Sequence, residues 1–194
     1  MEKNEETIQV LNKLESLKSD LSEFWLEEKS KQLEDDTLIT RVIKTLKSDW
    51  INKVIGYYAN HRENSEYNSL DNEYKVQDLA YILLSSIIKD IQFENPQSKN
   101  LGALTYTRID FSSEKQSLFI EIKHANEKHK AKKIEKEISE DIIKYGEGNS
   151  FNTLIIFIYC YDYQFTDPRG FEERFTGTFE VKESSINVFC IVKP

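Results

Sequence analysis

At 194 residues the chain has room for one hydrophobic core, or one core and an appendage, and not for two full domains. Its 39% hydrophobic and 12% aromatic content, with only 6 Gly and 3 Pro, excludes wholesale disorder, collagen-like sequence and proline-rich linkers. No apolar run approaches the roughly 20 residues of a membrane span, and the polar start MEKNEET is unlike a signal peptide, so a soluble, cytoplasmic protein is expected.

The first segment, about 5–31, reads as a helix with Ile8, Leu11, Leu14, Leu17, Leu21, Phe24 and Trp25 at three- and four-residue steps. That narrow stripe suits packing on a partner helix, either for dimerisation or as an adaptor. A second helix is expected over 37–58 and a polar loop over 59–70. Residues 1–60 are thus a helical extension, and 70–194 the main domain. The third helix, about 71–91, turns Val76, Leu79, Ala80, Leu83, Leu84, Ile87 and Ile88 inward, with Asp71 or Asn72 as cap. Glu73, Gln77, Ala80, Leu84, Ile87 and Ile91 fall on one inward line, whereas Asp78 lies nearer the outer face.

Beyond Pro96 the pattern changes to strands. Thr105–Phe111 and Leu118–His124 alternate around a turn at Ser112–Gln116, a charged helix covers about 128–145, and Thr153–Tyr161 is a buried central strand. A short helix from Asp167 to Phe175 and a last strand, Ile186–Val192, complete the order α-α-α-β-β-α-β-α-β. Cys160 and Cys190 lie inside apolar runs and read as small buried hydrophobes.

The net charge of −8 is unevenly spread. Residues 1–36 carry −6, whereas Lys123, Lys128, Lys130, Lys132, Lys133 and Lys136, with His124 and His129, face only Glu127 and Glu135. A local basic strip engages phosphates even on an acidic chain, because screening beyond about 8–10 Å leaves local charge dominant. The competing reading is the solvated face of a helix. His124 and His129 have no cysteine partners and do not suggest zinc.

The segment with chemical content is the hairpin. On its second strand Leu118, Ile120 and Ile122 share one face, and Phe119, Glu121 and Lys123 the other. A turn centred near position 115.5 sets Asp110 opposite Glu121. Facing carboxylates repel, and a cation between them removes the cost. Mg²⁺ is typically held by one or two carboxylates with waters and phosphate oxygens. Lys123 is then placed to orient a water and offset charge on a phosphate, as phosphodiester hydrolysis requires. Acids and lysines also alternate on solvent-exposed sheets, but helices on both sides of the hairpin imply covered faces, where an unused acid pair is costly. There is no GxGxxG, P-loop or G-x-S-x-G.

Asp110 followed by Glu121-Ile122-Lys123, then a helix and a buried strand, resembles the PD-(D/E)XK nuclease superfamily with its restriction-endonuclease-like α/β fold, a mixed sheet flanked by helices. Asp110, Glu121 and Lys123 match the two motif acids and the lysine in turn. Ile109 stands where the family usually has proline. Val76-Gln77-Asp78-Leu79, KKIEKEISEDIIKY, TLIIFIY and Asp167-Pro168-Arg169-Gly170-Phe171-Glu172 extend the likeness, over about 70–194, to a branch related to GATC-cutting restriction enzymes and prokaryotic defence nucleases.

The resemblance implies a Mg²⁺- or Mn²⁺-dependent endonuclease acting on DNA rather than RNA. Asp110 and Glu121 would bind metal, with Glu73 as a helical third acid, and Lys123 would act on the water. Arg108, Lys128, Lys130, Lys132 and Lys133 are the candidate nucleic-acid contacts. Glu137 and Asp141 border the stripe Ile134, Ile138, Ile142 and Tyr145, so either could reach the active cleft, with ordinary helix-surface acids as the favoured reading. A homodimer, or a partner held through the N-terminal helices, would complete the assembly. The rival classes are an inactive scaffold that binds nucleic acid or protein, an RNA nuclease effector, and an interaction adaptor.

Overall fold

The computed structural model describes residues 37–62, 65–93, 109–147 and 151–194, so the helix expected over 5–31 and Arg108 lie outside the described residues. From Leu38 onward the elements belong to one unit. In chain order they are α1 (Leu38–Lys47), α2 (Trp50–His61), a 3-10 turn (Glu66–Asn68), α3 (Glu73–Ser85), β1 (Gln92–Phe93), β2 (Phe111–Ser113), β3 (Leu118–Ala125), α4 (Ala131–Gly146), β4 (Thr153–Cys160), α5 (Pro168–Arg174), β5 (Gly177–Val181) and β6 (Ser184–Lys193).

The six strands form one mixed sheet in the order β1-β2-β3-β4-β6-β5. β3, β4 and β6 run parallel in the middle, and the other pairs are antiparallel. Parallel neighbours need crossover connections, and α4 supplies the one between β3 and β4. Every residue of β4 is buried, as its run of β-branched and aromatic residues predicts.

Alternation along the strands feeds two cores. Leu118, Ile120, Ile122, Ile155, Phe157 and Ile191 pack with Val42, Leu46, Trp50 and Ile51 of α1 and α2 and with Val76, Ala80 and Leu84 of α3. On the other face Phe119, Leu154, Ile156, Ile158, Val188 and Cys190 meet Ile134, Ile138, Ile142 and Tyr145 of α4 and Phe171 of α5. Both faces are therefore covered, as the flanking helices imply. The expected extension of residues 1–60 includes two helices, α1 and α2, whose apolar residues complete the first core. Cys160 and Cys190 are buried free thiols, whose pKa values burial pushes up to about 12.

The differences from the expected elements have local causes. The single helix over 37–58 is split at Ser48 and Asp49, where Ser48 Oγ donates to the Thr45 carbonyl and Asp49 accepts from Asn52 Nδ2. The third helix stops at Ser85 rather than 91, because Ser85 and Ser86 hydroxyls take the Ile82 and Leu83 carbonyls. Asn72, one of the two expected caps, accepts from Lys75 N. The hairpin turn is Glu114–Ser117, so Ser112 and Ser113 belong to β2. α4 begins at Ala131 rather than 128, since Asn126 Oδ1 accepts from the N–H groups of both Lys128 and His129 and holds them in a turn. β5, absent from the expected order, is a largely exposed edge strand with little apolar pattern to reveal it.

The end of α4 is fitted tightly to β5. A Cβ on Gly146 would lie 2.6 Å from Val181 Cγ2 and 2.9 Å from Val181 Cβ, and Ser184 Oγ donates to the Gly146 carbonyl. Gly→Ala inside an open helix stabilises by about 1 kcal/mol. Here G146A is expected to destabilise by ~1–3 kcal/mol through overpacking, and V181A in the same chain to recover part of the loss, since it removes the Cγ2 contact and keeps the Cβ one. Urea midpoints at constant m value check this, and a stabilised G146A single variant contradicts it.

Candidate active site

The β2–β3 ladder pairs Phe111 with Ile120, Ser112 with Phe119 and Ser113 with Leu118. The same register brings Asp110 beside Glu121, as the expected turn centre requires. Asp110 precedes the ladder, and its carboxylate takes over where strand pairing ends. Its Oδ2 accepts from the Ile122 N–H at 2.8 Å, and its Oδ1 accepts from Gln77 Nε2 at 2.9 Å. Two residues further along β3, the main-chain N–H of His124 favours the ionised form of Glu73, at the start of α3. Two acids thus lie along the edge of β3 that no described strand covers beyond Ile120.

Glu121 projects from the face of β3 that carries Phe119 and Lys123, toward α4. It is buried at 5% exposure, and its Oε1 accepts a hydrogen bond from the Tyr145 hydroxyl. Lys123 Nζ lies 4.0 Å from Glu121 Oε2 and 2.7 Å from Asp141 Oδ2. Gln77 Nε2 reaches Glu73 Oε1 at 3.4 Å as well as Asp110, so α3 and the hairpin meet through one amide.

The electrostatics follow from confinement. Burial raises the Asp110 carboxyl above its ordinary range against the hydrogen bond from Ile122, and burial together with Asp110 raises Glu121 well above its own. Glu73 is pushed up to about 7, mainly by burial and then by Asp110. Burial pulls the Lys123 ammonium down, but Glu121 and Asp141 outweigh it, and its pKa stands above the ordinary lysine value. Tyr145 is raised by burial and by Glu121 and Asp141, which keeps its hydroxyl a donor.

The structure therefore brings together Asp110, Glu121, Lys123 and Glu73. Three further residues join them. Asp141, for which the sequence favours a helix-surface place and leaves a reach into the cleft open, is buried and paired with Lys123, so the less favoured alternative holds. Tyr145 was legible only as part of the apolar stripe. Gln77 lies on the predicted inward line, but nothing in the sequence marked it as the amide joining two acids. Glu137 does stay half-exposed, paired with His129 at 3.0 Å.

The basic strip divides. Lys123 belongs to the site, and His124 is buried with Nε2 2.8 Å from the Leu70 carbonyl. Lys128, Lys130, Lys132 and Lys133 are exposed at the start of α4. Lys130 and Lys133 lie 2.8 and 3.9 Å from Glu127 and Glu137, while among the described residues Lys128 and Lys132 have no carboxylate within ion-pair distance.

Among the described residues no three His, Cys, Asp or Glu side chains close around one point as a ready-made metal cage. The donor set nonetheless suits a hard cation that keeps its waters. Asp110 raises the cost of ionising the buried Glu121 beside it, and the Gln77 Oε1 atom near them is buried with no hydrogen-bond partner among the described residues.

A mixed sheet covered by helices on both faces, with an acid–acid–lysine set at the edge where β2 gives out, defines the restriction-endonuclease-like PD-(D/E)XK class. Within that class the chain belongs to the DpnII-MboI restriction endonuclease family, whose model, REase_DpnII-MboI, matches residues 41–192. The match starts inside α1 and so includes the two helices that complete the first core. No curated protein and no solved structure matches the chain. Among the described residues no helix is long and apolar enough to cross a membrane.

Glu73 gives a pH test of the site in metal-free buffer. An acid raised from 4.5 to about 7 holds a proton in the folded state that the unfolded chain releases. Stability from this group is therefore greatest below about 4.5, falls as the pH rises through 7, and is constant above. E73Q is expected to match the wild type near pH 5 and to exceed it by on the order of 1–3 kcal/mol at pH 8. Urea unfolding with EDTA at both pH values measures the difference, and an offset independent of pH contradicts it.

Proposed function

We propose that the chain is a Mg²⁺- or Mn²⁺-dependent endonuclease that hydrolyses phosphodiester bonds in duplex DNA, in a prokaryotic restriction or defence context. Asp110 and Glu121, with Glu73 beside them, hold the metal, and Lys123 acts on the attacking water. The observation that carries this reading is the surplus of confined carboxylate: the buried Glu121 and Asp141 and the half-buried Asp110 and Glu73 lie around one half-buried cation, Lys123. Such a set is costly unless a cation completes it. Family membership supports DNA as the substrate.

The residues divide the work by position. Asp110 is fixed at both oxygens by Ile122 N and Gln77 Nε2, which leaves its remaining lone pairs in a defined direction. Glu121 is fixed at Oε1 by Tyr145. Lys123 keeps its proton and so presents a positive donor to a water or to a phosphate oxygen. When bound, Mg²⁺ supplies the positive charge that offsets charge developing on the phosphate. Lys128, Lys130, Lys132 and Lys133 meet the nucleic-acid backbone, a contact that positions the substrate without reading its sequence. One site per chain implies two copies for double-strand cleavage, with the acidic residues 1–36 as the segment that joins copies or partners.

Plasmid DNA, single-stranded DNA and RNA incubated with Mg²⁺ or Mn²⁺ test the proposal. Duplex cleavage is expected to vanish with EDTA and to fall roughly a hundredfold or more in E121Q. Cleavage that survives both treatments, or that is confined to RNA, overturns it. The basic strip has its own signature. In duplex binding under Ca²⁺, K128A/K132A is expected to lower the slope of log affinity against log salt by about 2, weakening all sequences alike. An unchanged slope removes these lysines from the interface.

A further inference from the structure

Asp141 and Tyr145 lie one helical turn apart on the inner face of α4, which is the spacing that brings two side chains to the same spot. Each contacts one member of the proposed catalytic set. Asp141 Oδ2 is 2.7 Å from Lys123 Nζ, and the Tyr145 hydroxyl donates to Glu121 Oε1. Lys144 closes the arrangement. Its Nζ donates to Tyr145 Oη at 2.9 Å and lies 3.9 Å from Asp141 Oδ1. Because Lys144 supplies a proton to the tyrosine oxygen, the tyrosine's own proton is directed to Glu121. The five groups Glu121, Tyr145, Lys144, Asp141 and Lys123 form a ring that spans β3 and α4.

Stability does not account for this ring. The same helix face packs on the sheet through Ile134, Ile138 and Ile142, and an apolar residue at 141 would continue that contact. A buried ion pair seldom exceeds its apolar replacement in stability, and Asp141 adds a further carboxylate near Asp110 and Glu121. What the ring does fix is direction: the Lys123 amine cannot swing away from Glu121, and the Glu121 carboxylate cannot rotate about its last torsion.

Resting on the nuclease reading of the same site, we propose that Asp141 and Tyr145 are its positioning residues, Asp141 aiming the Lys123 amine and Tyr145 aiming the Glu121 carboxylate. Neither touches substrate. The pair is a device of α4, so the crossover helix between the two central strands aligns the reacting groups as well as covering the sheet.

Three variants of the full chain test this: D141N, D141E and Y145F. Two readouts are needed, steady-state cleavage of duplex DNA and the rise in melting temperature with added Mn²⁺ in the absence of DNA. D141N is expected to lower kcat by about 10–100-fold with KM unchanged, and D141E to restore most of it. Y145F is expected to raise the Mn²⁺ concentration at half-maximal stabilisation about tenfold, with an unchanged melting temperature in EDTA. A D141N enzyme with wild-type kcat, or a Y145F protein with an unshifted Mn²⁺ midpoint, overturns the assignment. A shifted midpoint in a chain whose wild type cuts no DNA supports the positioning role of Tyr145 and instead removes the nuclease reading.

Discussion

The β2–β3 ladder ends at the Phe111–Ile120 pair, and among the described residues no strand pairs with β3 beyond it on that side. Backbone N–H groups in a covered sheet must be satisfied, and here a carboxylate does what a strand would do. Asp110 accepts from the Ile122 N–H in place of a strand carbonyl. A short strand is thus the condition for an acid cluster. Had β2 continued, its backbone would occupy the edge where Asp110 now stands. The parallel β3–β4 ladder on the opposite side pairs every residue from Leu118 to Ala125, which fixes the strand from which Glu121 and Lys123 project.

Charge balance follows from that placement. Glu121 leaves the sheet on the face covered by α4, and Glu73 and Gln77 approach from α3 on the other side of the hairpin. The acids come from separate elements and converge only because two helices clasp one strand edge. Lys123, raised above its ordinary value by its acidic neighbours, is the internal counter-charge, and it is outnumbered. A cluster of this composition is neutralised by protonation, as the raised Glu73 shows, or by an added cation, which is why its donor set suits a hard divalent ion.

Much of this was legible in the sequence because period-2 alternation alone assigns faces. Leu118, Ile120 and Ile122 against Phe119, Glu121 and Lys123 could be read from spacing, and so could the register that sets Asp110 by Glu121. The unbroken apolar run at 153–160 announced a central strand. Asp141 and Tyr145 were harder. An acid beside an apolar helical stripe is ordinarily solvated, and only the three-dimensional placement of Lys123 turns it into a buried partner. Helix ends differ from the apolar pattern where serine or asparagine side chains compete for backbone groups, as at Ser48, Ser85 and Asn126, since that competition adds no hydrophobic signal. β5 escaped because an exposed edge strand needs no apolar alternation.

α4 also acts as a ruler. Its first turn exposes Lys132 and Lys133 to solvent, and its third presents Asp141 to the buried acids. Nine residues separate Lys132 from Asp141, about 14 Å along a helix axis. A nucleic-acid strand advances about 3.4 Å per nucleotide, so this interval corresponds to about four nucleotides. On the proposed nuclease reading, one helix would therefore set the number of nucleotides between the backbone met by the lysines and the bond presented to Lys123. Changing the length of that helix would then change the footprint of the protein while leaving each individual contact chemically intact.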